Sequence, residues 1–183
     1  MVFKEWSLVL QETVVRQISS GDAPQIAELL RKNREAFSAW EPSQSDEYYT
    51  VAGQTKRVER LLNEMSAGRL WAGVIISGGD VIGQITVGTI VREPFRKGSV
   101  GYWVASEHQG RGRAKQALAT VLDIMFHELD LHRAEASTKH PDSKHRFAES
   151  ISSKRFQSHR NAALEHPHQW RMARWHPVGT RPG

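Results

Sequence analysis

Between Ser99 and Leu129 the chain changes its periodicity across a short bridge of small residues, and this switch restricts the fold more than any other feature. Ser99–Ala105 (SVGYWVA) is apolar, β-branched and aromatic, the composition of a strand. Lys115–Leu129 places Leu118, Val121, Leu122, Met125, Phe126 and Leu129 at intervals of three and four, the mark of an amphipathic helix. The bridge is Gln109-Gly110-Arg111-Gly112-Arg113-Ala114. A strand that gives way to a helix through so bare a backbone predicts an anion cradle. The first N–H groups of a helix lack intrahelical partners, converge, and carry the positive end of the dipole. Arg111 and Arg113 are expected to add charge at the rim. Taken alone, a glycine pair fits a flexible turn with solvated arginines equally well.

The rest of the chain supplies the context. Glu12–Ser19 reads as a β-branched strand. A helix follows through Phe37, with Asp22 as N-cap, Pro24 in its first turn, and Ile26, Leu29, Leu30 and Phe37 on one face. Pro42 breaks the chain before a second amphipathic helix from about Tyr49 to Ala67, apolar at Val51, Val58, Leu61, Leu62 and Met65. Leu70–Arg92 reads as two strands joined at Ser77-Gly78-Gly79-Asp80, and Leu131–Thr138 as a last strand after the long helix. The order strand, two helices, three strands, helix, strand predicts an α/β fold with helices on the faces of a mixed sheet. No internal repeat interrupts it.

A chain of 183 residues suits a single domain, and 39% apolar with 25% charged residues is ordinary for a soluble protein. The start carries Glu5 within its apolar patch and no small-residue cleavage site, which argues against a signal peptide. No apolar run reaches the length of a membrane span. The absence of cysteine rules out disulfides, a thiol nucleophile and thiolate metal sites; a cytoplasmic location fits. The net charge of +5 is unevenly distributed. Residues 1–138 hold 16 Lys and Arg against 17 Asp and Glu, whereas residues 139–183 hold 9 against 3 and six of the nine histidines.

The segment VGYWVASEHQGRGRAKQAL resembles the acetyl-CoA-binding segment of the GNAT N-acetyltransferases, whose pattern Gln/Arg-x-x-Gly-x-Gly/Ala is met by Gln109, Gly112 and Ala114. GYWV before it, LDIMFHELDLHRAEA after it and NREAFSAWEP (Asn33–Pro42) are similar to the branch containing the ribosomal-protein-alanine N-acetyltransferases and their spermidine- and antibiotic-acetylating relatives. The resemblance covers roughly residues 12–138. It implies a mostly antiparallel sheet that splays at the strand ending in Val104. It also implies acetyl-CoA as co-substrate, with pantetheine along that strand and pyrophosphate on the N–H groups of Gly110, Arg111, Gly112, Arg113 and Ala114, with Gln109 beside them. No metal is implied. A neutral primary amine, of a protein N-terminus or a small molecule, would attack the thioester directly, aided by positioning and carbonyl polarisation. Asn33 and Trp40 fall in the region that forms the family's acceptor pocket, although Trp40 also suits a core. Glu135 is one candidate base, with an ion-paired glutamate as the competing reading; Glu107 reads as a loop charge.

After Ser137 the resemblance and the periodicity fail together. The family continues with Asn-x-x-Ser, then Val-Leu-x-x-Asn-Gly-Phe, then a strand around Gly-Glu-Trp-Arg-Asp, to an equivalent of about residue 175. The chain reads KHRFAESISSKRFQSHRNAALEHPHQWRMARWHPV instead. Codons permitted for these residues, read one nucleotide later, allow the missing string at its proper spacing. Three positions are forced: Trp170 with Arg171 gives Gly, Met172 gives Trp, and Trp175 with His176 gives Gly. The expectation is an extra nucleotide near codons 138–144, which leaves 139–183 as an irregular, basic, out-of-frame tail. A rival explanation makes the tail a nucleic-acid-binding arm, with Lys144, Arg146, Lys154, Arg155, Arg160, Arg171 and Arg174 on phosphates and Trp170 and Trp175 stacking on bases. A third makes it a solvated, disordered tail. His159, His166, His168 and His176 match no closed metal site.

Overall fold

The structure, a computed structural model, describes residues 13–38 and 42–136. Among these residues, five strands form one sheet in the order β1-β2-β3-β4-β5. They are β1 (Thr13–Gln17), β2 (Trp71–Ser77), β3 (Asp80–Val91), β4 (Lys97–Val104) and β5 (Arg133–Glu135). The first four pair antiparallel and β4 pairs parallel with β5. The sheet is mixed, as the order of elements predicts, and mostly antiparallel, as the family resemblance implies. The tight β2–β3 turn rests on Gly78 and Gly79, both at positive φ (65° and 90°), the backbone that a two-residue hairpin connection of this hand requires.

Among the described residues, four α-helices cover the sheet: α1 (Ala23–Lys32), α2 (Arg34–Ser38), α3 (Val51–Ser66) and α4 (Arg113–Asp123). Two cores lie on opposite faces. On one, Ile26 and Leu30 of α1 meet Val58 and Leu61 of α3 over Ala72, Val74 and Val81. On the other, Ala117, Leu118, Val121 and Leu122 of α4, with Met125, cover Ile75, Ile82, Ile85, Val100 and Val104. Each fully buried Ile, Leu or Val contributes about 1.5–3 kcal/mol relative to exposure, and these two stripes hold the helices to the sheet.

Three details differ from the sequence-based expectation. The helix through Phe37 is broken at Asn33 (φ −100°, ψ 9°), where α1 stops and α2 starts in a new direction. Asp22 sits at the N-cap of α1 without capping it. Its carboxylate turns back to accept from the Ser19 N–H at 2.7 Å and from both terminal nitrogens of Arg16 at 2.6 and 2.8 Å. The long helix also changes gauge, continuing past α4 as a single π turn over Ile124–Glu128, with the Leu129 N–H on the Ile124 carbonyl at 2.9 Å. The residue inserted by such a turn re-aims the side chains beyond it, and Met125 and Leu131 both end buried. Two arginines from the β3–β4 connection close this end: Arg92 Nη1 donates to the Leu129 carbonyl at 2.6 Å and Arg96 Nε to that of Asp130 at 2.9 Å.

Candidate active site

The site forms where β4 leaves β5 and runs into α4. β5 pairs only with Lys97, Gly98 and Ser99. From Val100 to Val104, no strand lies along that flank of β4 among the described residues. The Ala105 N–H donates to Ile82 across the β3 side at 2.9 Å, so by strand alternation the main-chain groups of Val104 face the open flank. Beyond a short loop α4 begins. Gly112 is its N-cap, in the left-handed region at φ 74°, ψ 0°, and Gly110 has φ 73°. The first bond of this helix runs from the Gln116 N–H back to the Gly112 carbonyl, so the geometry of a helix start directs the N–H groups of residues 113–115 outward. Among the described residues, a Cβ built on Gly110 or Gly112 meets no atom within 4 Å. Both glycines therefore border open space at the mouth of a helix, which fits a pyrophosphate.

Three side-chain contacts hold this loop. Gln109 Nε2 donates to the Val104 carbonyl at 2.7 Å, tying the loop to the end of β4. Asn33 Oδ1 accepts from the Ser106 N–H at 2.8 Å, tying it to the α1–α2 corner. His108 Nδ1 meets Arg113 Nη1 across the base of the glycine turn. This last contact corrects the rim expectation: Arg113 is only 7% exposed. Arg111 is exposed as expected, and Ala114 is half-buried behind the cradle. An arginine donates only, so the His108 nitrogen facing it must be an acceptor.

On the opposite face of β4, Phe37 of α2 packs against Trp103 with ring centroids 5.7 Å apart. Gln84, the cross-strand partner of Trp103, is buried and accepts from Arg57 of α3 at 2.8 Å. Asn33 lies at this corner, but its amide is engaged at both ends: Nδ2 donates to the Leu29 carbonyl at 2.9 Å. Trp40 lies outside the described residues. Glu135 sits opposite Ser99, where β4–β5 pairing ends. Lys97 Nζ lies 3.2 and 3.3 Å from its two carboxylate oxygens and Arg133 Nη2 2.8 Å from one of them. The geometry is that of the ion-paired alternative. Ser106, His108 and Arg57 escaped the sequence reading. The only hint was spacing, with His108 five residues before Arg113 across a glycine turn.

Among the described residues, no group of three or more His, Asp or Glu is placed to hold a metal ion, and no helix is long and apolar enough to cross a membrane. The basic arm and its histidines at 139–183 lie outside those residues.

Comparison with known proteins agrees with this architecture. The probable N-acetyltransferase YjcK of Bacillus subtilis is 32% identical over 124 residues, 67% of this chain and 68% of that protein. Among solved structures, the ribosomal-protein-S5-alanine acetyltransferase of Vibrio fischeri superposes with a TM-score of 0.70 at 29% identity, covering 81% of both chains. The RimJ protein of Mycobacterium smegmatis, solved in complex with CoA-disulfide, superposes at 0.69 with 27% identity over 77% of this chain and 74% of its own. The family model for the acetyltransferase (GNAT) domain matches residues 13–147. By its sheet, its β4–α4 junction and these relationships, the chain belongs to the GNAT acetyltransferase family.

Proposed function

We propose that the protein transfers an acetyl group from acetyl-CoA to a primary amine, with a protein N-terminal amine as the acceptor. The observation that carries the reading is the open flank of β4 beside the left-handed glycines at the mouth of α4. Bound there, acetyl-CoA supplies an activated thioester carbonyl. The chain's part is to hold it. Val104 offers its main-chain N–H to the amide-bearing arm, and residues 110–114 offer N–H groups to the pyrophosphate with Arg111 adding charge. Fixing the thioester beside the acceptor lowers the entropic barrier of a two-substrate reaction. The acceptor would approach from the α1–α2 corner and Trp103. Glu135, held by Lys97 and Arg133, supports that strand junction, and proton removal falls to water or to a group beyond it. The N-terminal acceptor is supported by the likeness to S5-alanine acetyltransferase.

The out-of-frame tail belongs to the same proposal. It is supported by the change in charge after residue 138. A frame-restored chain would supply the segment that the family places after β5.

Because the chain has no cysteine, release of CoA thiol can be followed with a thiol reagent free of protein background. The recorded chain and a chain with one nucleotide removed between codons 138 and 144 are assayed with acetyl-CoA. The acceptors are peptides beginning in alanine or serine, spermidine and an aminoglycoside. Acetylation of the peptides, stronger in the restored chain, is expected. Failure of both chains to release thiol with any amine refutes the transferase reading. Preference for spermidine refutes the N-terminal acceptor. A restored chain no better folded or more active than the recorded one, with source DNA that keeps the recorded reading, refutes the frame proposal.

A further inference from the structure

The α1–α2 corner and the coenzyme loop are joined by a bond that neither element needs for its own formation. Asn33 is 4% exposed. Its Oδ1 reaches across 73 positions of sequence to the Ser106 N–H at 2.8 Å, while Nδ2 is fixed on Leu29 in its own helix. Ser106 opens the short 3-10 turn Ser106–His108 that leads into the glycine loop. One turn further, in α2, Phe37 packs on Trp103, next to Val104. The corner thus holds β4 and its outgoing loop through one polar and one apolar contact. On the cradle side, Gln109 ties the same loop to the Val104 carbonyl.

We infer that Asn33 is a positioning residue for the coenzyme loop rather than a contact for the acceptor: its amide spans the two halves of the site, and its loss loosens the loop that holds the coenzyme. The inference rests on the coenzyme site proposed above. The physical basis is the Ser106 N–H, whose acceptor is the buried Asn33 side chain and which loses that acceptor when the side chain is cut back. A loop that must be ordered on binding binds its ligand more weakly than one ordered beforehand.

The test uses the full chain and two readouts. Hydrogen exchange of peptides spanning 104–113 is measured without ligand, and CoA affinity is measured by titration calorimetry. Asn33→Ala removes both bonds; Asn33→Asp keeps an oxygen for Ser106 and gives up the donor to Leu29. Ser106→Pro cuts the same bond from the other side, at the first residue of a turn where a proline is tolerated, after an Ala105 whose ψ of 141° suits it. Expected are faster exchange of the loop and about ten-fold weaker CoA binding for Asn33→Ala and Ser106→Pro, with affinity kept in Asn33→Asp although its melting temperature falls. Asn33→Ala with wild-type exchange and affinity overturns the inference. So does Asn33→Asp weakened as much as Asn33→Ala, because the effect would then follow stability alone. If Asn33→Ala fails to fold, Ser106→Pro decides, and a proline variant that binds like wild type overturns the link. Absence of CoA binding in the wild-type chain refutes the coenzyme reading instead, and the exchange data still settle the bond.

Discussion

Gly112 separates two demands that are usually entangled, the conformation a backbone must adopt and the space a ligand must have. It caps α4 at φ 74°, ψ 0°, and a Cβ placed on it touches no atom of the described residues within 4 Å. Replacement by alanine therefore costs the unliganded fold only the left-handed penalty, about 1–2 kcal/mol. In a chain of 183 residues that lowers the melting temperature by roughly 2–8 °C. Asparagine tolerates this conformation far better, so Gly112→Asn is expected to melt above Gly112→Ala. The order for CoA differs. Both side chains enter the space where a pyrophosphate oxygen would meet the helix N–H groups. Forfeiting one hydrogen bond to a charged group costs about 1.5–3 kcal/mol, roughly a 10- to 150-fold loss of affinity. Asparagine, the larger, weakens CoA at least as much as alanine. Differential scanning calorimetry of the free variants and isothermal titration with CoA measure the two effects. A Gly112→Asn protein that binds CoA as tightly as wild type refutes the cradle at this position. Alanine melting at or above asparagine refutes the conformational argument.

The packing makes three further predictions. Gly83→Ala would place a Cβ 2.3 Å from the Trp103 carbonyl oxygen and 3.1 Å from Val104 Cα. It is expected to pry β3 from β4 at the site, costing roughly 1–3 kcal/mol, which a thermal melt detects as a clear drop. Burial pushes the Asp22 carboxyl up, but the bonds from Arg16 and from the Ser19 N–H and hydroxyl outweigh it, so its folded pKa lies below the ordinary value. The stabilisation is therefore complete above the unfolded pKa near 3.9 and is lost as pH falls through the folded value. Asp22→Asn should lose roughly 1–3 kcal/mol in urea at neutral pH, and the gap from wild type should close in strong acid; a gap that stays constant with pH contradicts the assignment. Ser77 is 5% exposed and its hydroxyl finds no partner among the described residues. Ser77→Ala should leave stability unchanged or raise it by up to about 1 kcal/mol, as urea midpoints will tell.

The sequence was most legible where a single period governed a segment. α4 stands where its apolar spacing puts it because it buries one stripe against the sheet, and β2 and β3 read as apolar runs because both of their faces are covered. The glycine bridge was legible for a different reason: a strand-to-helix turn with positive φ leaves few residue choices. What escaped were the side chains whose partners are distant in sequence. Asn33 looks like a mid-helix polar residue until Ser106 arrives beside it, and no local pattern announces that meeting. Arg113 looked like a rim charge because helix geometry alone cannot say that His108 folds under it. Asp22 has the residue type and position of an N-cap, and the competing pull of Arg16 turned it the other way. Glu135 was ambiguous by type and became an ion pair once the parallel register brought Lys97 alongside.

The helix that begins at Gly112 and continues through its π turn to Leu129 has oppositely furnished ends: open N–H groups and left-handed glycines at one, Arg92 and Arg96 on carbonyls at the other. Its axis is roughly 24 Å long, about three screening lengths in physiological salt, each near 8 Å, and dipole effects fade within a turn of either terminus. The two ends are therefore electrically deaf to each other. The arginine end can be redesigned for thermal tolerance without altering the charge that a phosphate would meet at the glycine end. The glycine end can be retuned for another acyl carrier without weakening the grip of the helix on the sheet.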